Sequence, residues 1–218
     1  MFHVKHRPAP HPVLLPLPAL PALPDAVQVR LDAYVDLLLR WNSRINLVAD
    51  KTVESVRDRH IADSLQLLPL LPPGPGAVAD LGAGAGLPGL VLAAATERPF
   101  HLVESDRRKA AFLTEASARL GLKHVTTHAA RIEDTTLPPL AAVTARALAP
   151  LNRLLPHAAR LLAPGGVAIF PKGRSALAEL AEAREDGWDF QVEAFASRTD
   201  PTATIFRLSE IRHAAPEV

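Results

Sequence analysis

Residues 80–89 read DLGAGAGLPG and follow directly on the apolar run Ala77, Val78, Ala79. Four glycines in ten residues at the end of a strand describe a backbone that approaches a ligand closely. A dinucleotide, a phosphate and S-adenosylmethionine are the ligands such a turn can hold, and the register discriminates among them. Gly84, Gly86 and Gly89 match the dinucleotide pattern G-x-G-x-x-G. The strand, however, ends at Asp80-Leu81, so the tight turn opens at Gly82, and from Gly82 the fingerprint breaks. Asp80 also sets a carboxylate at the mouth of the turn, where it would repel a pyrophosphate. Pro88 lacks an N–H at the start of the following helix, which weakens a phosphate cradle. S-adenosylmethionine carries an ammonium and a sulfonium and no phosphate, so a carboxylate suits it. A purely structural glycine turn is the alternative.

Outward from this turn the chain alternates strands and helices. AVADL (77–81), FHLVE (100–104), HVTTH (124–128), LAAVTAR (140–146) and VAIFP (167–171) read as strands. Helices are predicted near 88–96, 107–120, 151–162 and 175–185, with WDFQVEAFA and TATIFRL as two closing strands. This order predicts an open, mainly parallel sheet covered on both faces, with ligands beyond the carboxyl ends of its strands. Before it, Val27, Leu31, Tyr34, Val35 and Leu38 recur at helical spacing, and a second helix fits Thr52 to Leu68. PLLPPGPG (69–76) separates the two patterns. Residues 1–24 are expected to be an extended, mobile, proline-rich basic arm, 25–73 a helical extension, and 74–218 the main domain.

Composition narrows the class. With 48% hydrophobic and 22% charged residues in 218, the chain is a soluble globular protein with a real core. No apolar run approaches the roughly 18 residues of a membrane span. Proline breaks LLPLPALPALP every two or three residues, so neither a signal peptide nor an anchor is expected. The absence of cysteine excludes thiol chemistry and fits a cytoplasmic location. A net charge of +1 means that any nucleic-acid site must come from local clusters.

Other candidate residues follow strands. Glu104 stands 24 positions after Asp80, a spacing that suits a ribose diol; capping the next helix, alongside Ser105 and Asp106, is its alternative role. Ile132 can pack on an adenine face and Glu133 can accept from the adenine amino group. Arg57, Arg59 and His60 cluster on the second helix, Lys172 and Arg174 follow the fifth strand, and Lys5, His6 and Arg7 mark the arm. Such clusters can track phosphates. With only 5% aromatic residues, wide base-stacking platforms are not expected.

The order D-L-G-x-G-x-G, an acid after the next strand and a pair flanking adenine resembles class I S-adenosylmethionine-dependent methyltransferases. NLVADK (46–51), RHIADSL (59–65), DLGAGAGLPGL (80–90), LVESDRRKAAFL (102–113), ARIED (130–134), TARALAPLNRLL (144–155) and FPKG (170–173) resemble one family in collinear order. That family is the bacterial 16S rRNA guanine-N7 methyltransferases, also called glucose-inhibited division protein B, whose openings MFHVKH also resembles. The resemblance implies a Rossmann-like α/β fold, a mainly parallel seven-stranded sheet with helices on both faces and an N-terminal helical extension. It implies methyl transfer from S-adenosylmethionine to N7 of a guanine in 16S rRNA, guanosine 527 in conventional nucleotide numbering. The 16S rRNA or the 30S subunit is then the partner, and a monomer without a metal is expected.

Carried over by position, Gly82, Leu87, Ile132, Glu133 and Arg146 join Asp80, Gly84 and Glu104 as cofactor-binding candidates. Arg57, Arg59, His60, Lys172 and Arg174 are RNA-binding candidates, and Arg146, Lys172 and His60 are positioning candidates. Ala85 stands where some members carry proline, and Glu104 where some carry aspartate. Guanine N7 bears a lone pair and no proton, so transfer needs orientation and no general base. A bidentate arginine on O6 and N7 would occupy that lone pair. Arg146 is therefore expected at the cofactor carboxylate or an RNA phosphate, or else paired with a nearby carboxylate such as Asp80. A small-molecule or other RNA methyltransferase and a non-catalytic assembly factor are the competing readings.

Overall fold

The structure, a computed structural model, describes residues 12–49 and 52–214; Lys5, His6 and Arg7 lie outside them. In chain order the elements are β1 (Leu14–Leu15), α1 (Asp25–Asn42), α2 (Val53–Ser55), α3 (Ala62–Leu65), β2 (Val78–Leu81), α4 (Gly89–Ala94), β3 (Phe100–Val103) and α5 (Arg107–Arg119). Then come β4 (Val125–His128), β5 (Leu140–Thr144), α6 (Leu151–Leu161), β6 (Leu162–Lys172), α7 (Ala176–Glu185), β7 (Trp188–Ala196) and β8 (Thr204–His213). A π-helical segment, Val56–Ile61, joins α2 to α3.

The strands form one sheet ordered β1-β7-β8-β6-β5-β2-β3-β4. Strands β2 to β6 run parallel to their neighbours, and β8 lies antiparallel between β6 and β7. The expected seven strands and the expected mainly parallel α/β class are present. The eighth strand departs from expectation, because part of the proline-rich arm joins the sheet. Leu14 and Leu15 pair in parallel with Ala194 and Phe195. Leu17 is buried, and the Arg198 guanidinium donates to the carbonyls of Leu17 at 2.8 Å and Pro18 at 2.9 Å. Prolines lack the N–H a ladder needs, so this strand stops after two residues and stays at the edge.

The central strands are mostly apolar because helices cover both faces. On one face Leu31, Tyr34 and Leu38 of α1 join Leu90 of α4 and Phe112 of α5 in a single core cluster. On the other, Leu151 and Leu155 of α6 and Leu180 of α7 pack on Phe170 and Phe206. The helical extension is thus part of the same core as the glycine-turn helix. The interrupted second helix meets the 52–68 expectation only in outline. Its π segment shifts the face on which Arg59 and His60 emerge, a distortion often found at functional sites. Among the described residues no helix is long and apolar enough to cross a membrane.

Candidate active site

Winding reverses between β2 and β5, and the candidate residues gather beyond the carboxyl ends of the strands around that point. The turn itself runs through Gly82, Gly84 and Gly86 at φ +65, +53 and +84, conformations that other residues adopt only at a cost. A Cβ on Gly84 would meet only the Gly82 carbonyl oxygen, at 3.7 Å, so this part of the turn is open to a close ligand. Buried Leu87 closes the turn ahead of Pro88.

Asp80 is placed differently from the sequence reading. It does not stand at the mouth of the turn but is 1% exposed beneath it. One carboxylate oxygen accepts the Gly89 N–H at 2.9 Å, and the other accepts the Thr144 hydroxyl at 2.9 Å. The reason is the close approach of α4: a Cβ on Gly89 would lie 2.7 Å from that same Asp80 oxygen and 2.5 Å from Leu102. Asp80 therefore ties together the end of β2, the start of α4 and the end of β5. Burial pushes its carboxyl up to about 7, against the hydrogen bonds from Thr144 and Gly89 and the charge of Arg146.

Glu104 faces the turn. Its carboxylate accepts the N–H of Gly84 and that of Asp106, each at 2.8 Å. The cap of α5 is Asp106, which accepts from the backbone of Arg108 and Lys109, so Glu104 is not needed for that role. It stands beside the one turn glycine with open space around it.

Ile132 and Glu133 are held toward α6. The Ile132 carbonyl accepts from Arg160 at 2.7 Å, Ile132 packs against the α6-side core, and exposed Glu133 lies 3.5 Å from His157.

Next to the turn is a cavity of about 670 Å³ that brings Arg59, His60, Arg146 and Lys172 together. Arg146 is paired, though not with the carboxylate suggested by sequence. It donates to Asp63 at 3.1 Å and lies 3.3 Å from His60 Nδ1, while Asp80 is occupied elsewhere. Asp63 also accepts from Gln66 at 2.7 Å and from the Thr199 hydroxyl at 2.9 Å, which fixes the arginine from behind. Ala147 has φ +53, a left-handed conformation strained by about 1 kcal/mol or more in a residue with a Cβ. The neighbouring Leu148 is 40% exposed and lies over Gly82, where an added Cβ would meet it at 2.6 Å.

Lys172 also departs from its expected place on an exposed RNA face. It is 9% exposed, and its ammonium donates to the Ala149 carbonyl at 2.7 Å and pairs with Glu179 at 2.9 Å. Burial raises the Glu179 carboxyl, but hydrogen bonds from Ser175, Lys172 and Leu151 and the lysine charge outweigh it and hold it below the ordinary glutamate value. This pair props the 146–150 loop. Arg57 points to α1, where it pairs with Asp32. Arg59 and Arg174 are exposed, and their charges reach Asp200 on the opposite rim.

Four residues of the site went unread in the sequence. Asp63 carried a signal, standing three positions after His60 in RHIADSL. Tyr34, whose hydroxyl donates to the Ala85 carbonyl of the turn, looked like one more apolar-stripe residue, Glu179 like surface charge, and Leu148 like loop filler.

A family profile described as rRNA small subunit methyltransferase G matches residues 28–198. The chain belongs to this family. The ribosomal RNA small subunit methyltransferase G of Granulibacter bethesdensis is 52% identical over 212 residues, covering 97% of this chain and 99% of the relative. That of Rhodospirillum centenum is 56% identical over 182 residues, covering 84% of this chain and 83% of the relative. Among solved structures, a geranyl diphosphate methyltransferase in complex with GPP and sinefungin aligns with TM-score 0.57 at 14% identity, over 85% of this chain and 98% of its own. An O-methyltransferase from Bacillus cereus in complex with SAH aligns with TM-score 0.55 at 14% identity, over 81% of this chain and 90% of its own. At such identities these two neighbours speak for the fold, the class I methyltransferase fold expected from the sequence.

Proposed function

We propose that this protein transfers a methyl group from S-adenosylmethionine to N7 of a guanine in 16S rRNA, at guanosine 527. The observation that carries the reading is a glycine turn with an open face beside a carboxylate and, on the other side of Leu148, a cavity walled by basic side chains. S-adenosylmethionine fits the turn: Gly84 leaves room for a close ligand, and Glu104 offers acceptor oxygens beside it. When bound there, the cofactor supplies an electrophilic methyl group. The protein's own part is to hold the guanine so that its N7 lone pair lies in line with that methyl. The N7–C bond would form from the lone pair as the S–CH3 bond breaks, its electron pair staying on sulfur in the departing S-adenosylhomocysteine; no proton moves, so no general base is needed.

In this reading Gly82, Gly84 and Leu87 shape the cofactor seat and Glu104 takes the ribose. Ile132 and Glu133 flank the adenine, and Asp80 acts through the turn it anchors. Arg146, fixed by Asp63, faces cofactor carboxylate or RNA phosphate, while Arg59, His60 and Arg174 receive the RNA backbone. Lys172 positions the 146–150 loop and does not itself touch RNA. Residues 25–73 form a helical extension on a catalytic domain of residues 74–218, behind the 1–24 arm, and the protein acts as a cytoplasmic monomer on rRNA or the 30S subunit.

The test is incubation of the purified protein with methyl-labelled S-adenosylmethionine and either naked 16S rRNA or 30S subunits from cells lacking the gene. Label recovered as N7-methylguanine is expected; label on protein or small molecules alone would end the proposal. Binding to RNA should weaken steeply with salt, as phosphate contacts require.

A further inference from the structure

The glycine turn has few side chains to hold its own shape, so its geometry rests on hydrogen bonds from outside. Two come from the sheet: Glu104 accepts from Gly84, and the Ala83 N–H donates to the Val103 carbonyl at 3.0 Å. A third comes from the helical extension. The hydroxyl of Tyr34, on α1, donates to the carbonyl of Ala85, the residue between Gly84 and Gly86. The same Ala85-Gly86 peptide is held on its other side, where the Gly86 N–H donates to Ala83 at 2.6 Å. Tyr34 is 1% exposed, so its hydroxyl is not in contact with bulk water. Burial holds its phenol well above the ordinary tyrosine value, hence protonated and a donor, and it lies close enough to Arg146 and Asp80 to feel both charges.

We propose that Tyr34 is a positioning residue for the cofactor: its hydroxyl orients the Ala85-Gly86 peptide, and with it the open face at Gly84. The inference rests on the S-adenosylmethionine reading of the turn. It gives the helical extension a part in the cofactor seat besides its part in the core. The same helix also carries Asp32, the partner of Arg57 at the base of the π segment, so α1 touches both the turn and the segment that supplies Arg59 and His60.

The Y34F variant removes one oxygen and keeps the ring. Calorimetric titration with S-adenosylhomocysteine should show a Kd weakened fivefold or more. Steady-state assays should show a matching rise in KM for S-adenosylmethionine, with kcat at saturating cofactor within twofold of wild type. The control is L38A, which opens the same fully buried stripe of α1 one turn on but removes no hydrogen bond to the glycine turn. Its Kd should stay within twofold of wild type. Equal Kd values for Y34F and wild type would overturn the proposal, as would an equal loss in L38A or a fall in kcat with Kd unchanged. Failure of the wild-type protein to bind S-adenosylhomocysteine would instead overturn the cofactor reading.

A second measurement does not depend on the variant folding. Tyr34 is the one tyrosine in the chain, so biosynthetic 3-fluorotyrosine reports on it alone. Its fluorine resonance should shift on saturation with S-adenosylhomocysteine, and an unmoved resonance in a protein that binds would overturn the proposal.

Discussion

Replacing Gly89 by alanine tests the packing that buries Asp80. The φ of Gly89 is ordinary, so the backbone tolerates a side chain there, and the obstacle is contact alone. An added Cβ would lie 2.5 Å from Leu102 Cδ2, 2.7 Å from Asp80 Oδ2 and 2.8 Å from Asp80 Cβ. Residues on all sides are buried, so α4 must shift away from β2 and β3. Overpacking of this kind costs about 1–3 kcal/mol. The shift also stretches the 2.9 Å bond from the Gly89 N–H to Asp80, leaving a buried acceptor short of a partner at a further 1–3 kcal/mol or so. The expected loss is about 3 kcal/mol, which in a domain of this size lowers Tm by roughly 6–12 °C. Differential scanning calorimetry reads this directly, and titration with S-adenosylhomocysteine should show weaker binding in the variant. A G89A protein melting within about 2 °C of wild type would refute the close approach and the anchoring role of Asp80 built on it.

Three further outcomes follow from the same geometry. The Asp80 carboxyl, at about 7 in the fold against roughly 4 when unfolded, makes the native state bind more protons between those values. Wild-type stability from this group is therefore fullest below pH 4 and falls as pH rises toward 7, by no more than about 4 kcal/mol; urea titrations of D80N should lack that component, and parallel profiles would contradict it. The E179A variant leaves the Lys172 ammonium buried without its anion and should lose about 3 kcal/mol, much of it restored in E179A/K172M; additive losses in the double-mutant cycle would show that the pair is not coupled. R146K cannot reproduce the planar guanidinium whose Nη1 meets both Asp63 and His60, and its methyl-transfer kcat/KM should fall at least tenfold with a Tm change of a few degrees at most; retained activity would remove Arg146 from the site.

The strands were readable from sequence because each is a local pattern. Val78–Leu81, Phe100–Val103 and Leu140–Thr144 are short apolar runs bounded by glycine, proline or polar residues, and helices separate them. Strand β1 was not readable, since Leu14-Leu15 stands among prolines and finds its partner at Ala194-Phe195, far along the chain. The π segment escaped for a related reason, as a pattern of 3.6 residues per turn does not mark an extra residue. At the site, the glycine register pointed to the turn, but where a side chain faces depends on what packs over it. Asp80 looked open until α4 came close through Gly89. Lys172 in FPKG looked like a surface charge until the 146–150 loop closed over its stem. Pairing with a carboxylate was the alternative role for Arg146, and only the fold shows that Asp63 of α3 arrives as the partner.

The central claim is one modified atom on one nucleotide. Reduction and aniline cleavage of 16S rRNA, followed by primer extension, maps N7-methylguanine in cells with the gene, without it, and with a G82A copy. Cleavage is expected at guanosine 527 in the first strain, with loss in the second and strong reduction in the third. Cleavage at that position persisting without the gene, or a gene-dependent methyl group on another nucleotide or another guanine atom, would contradict it.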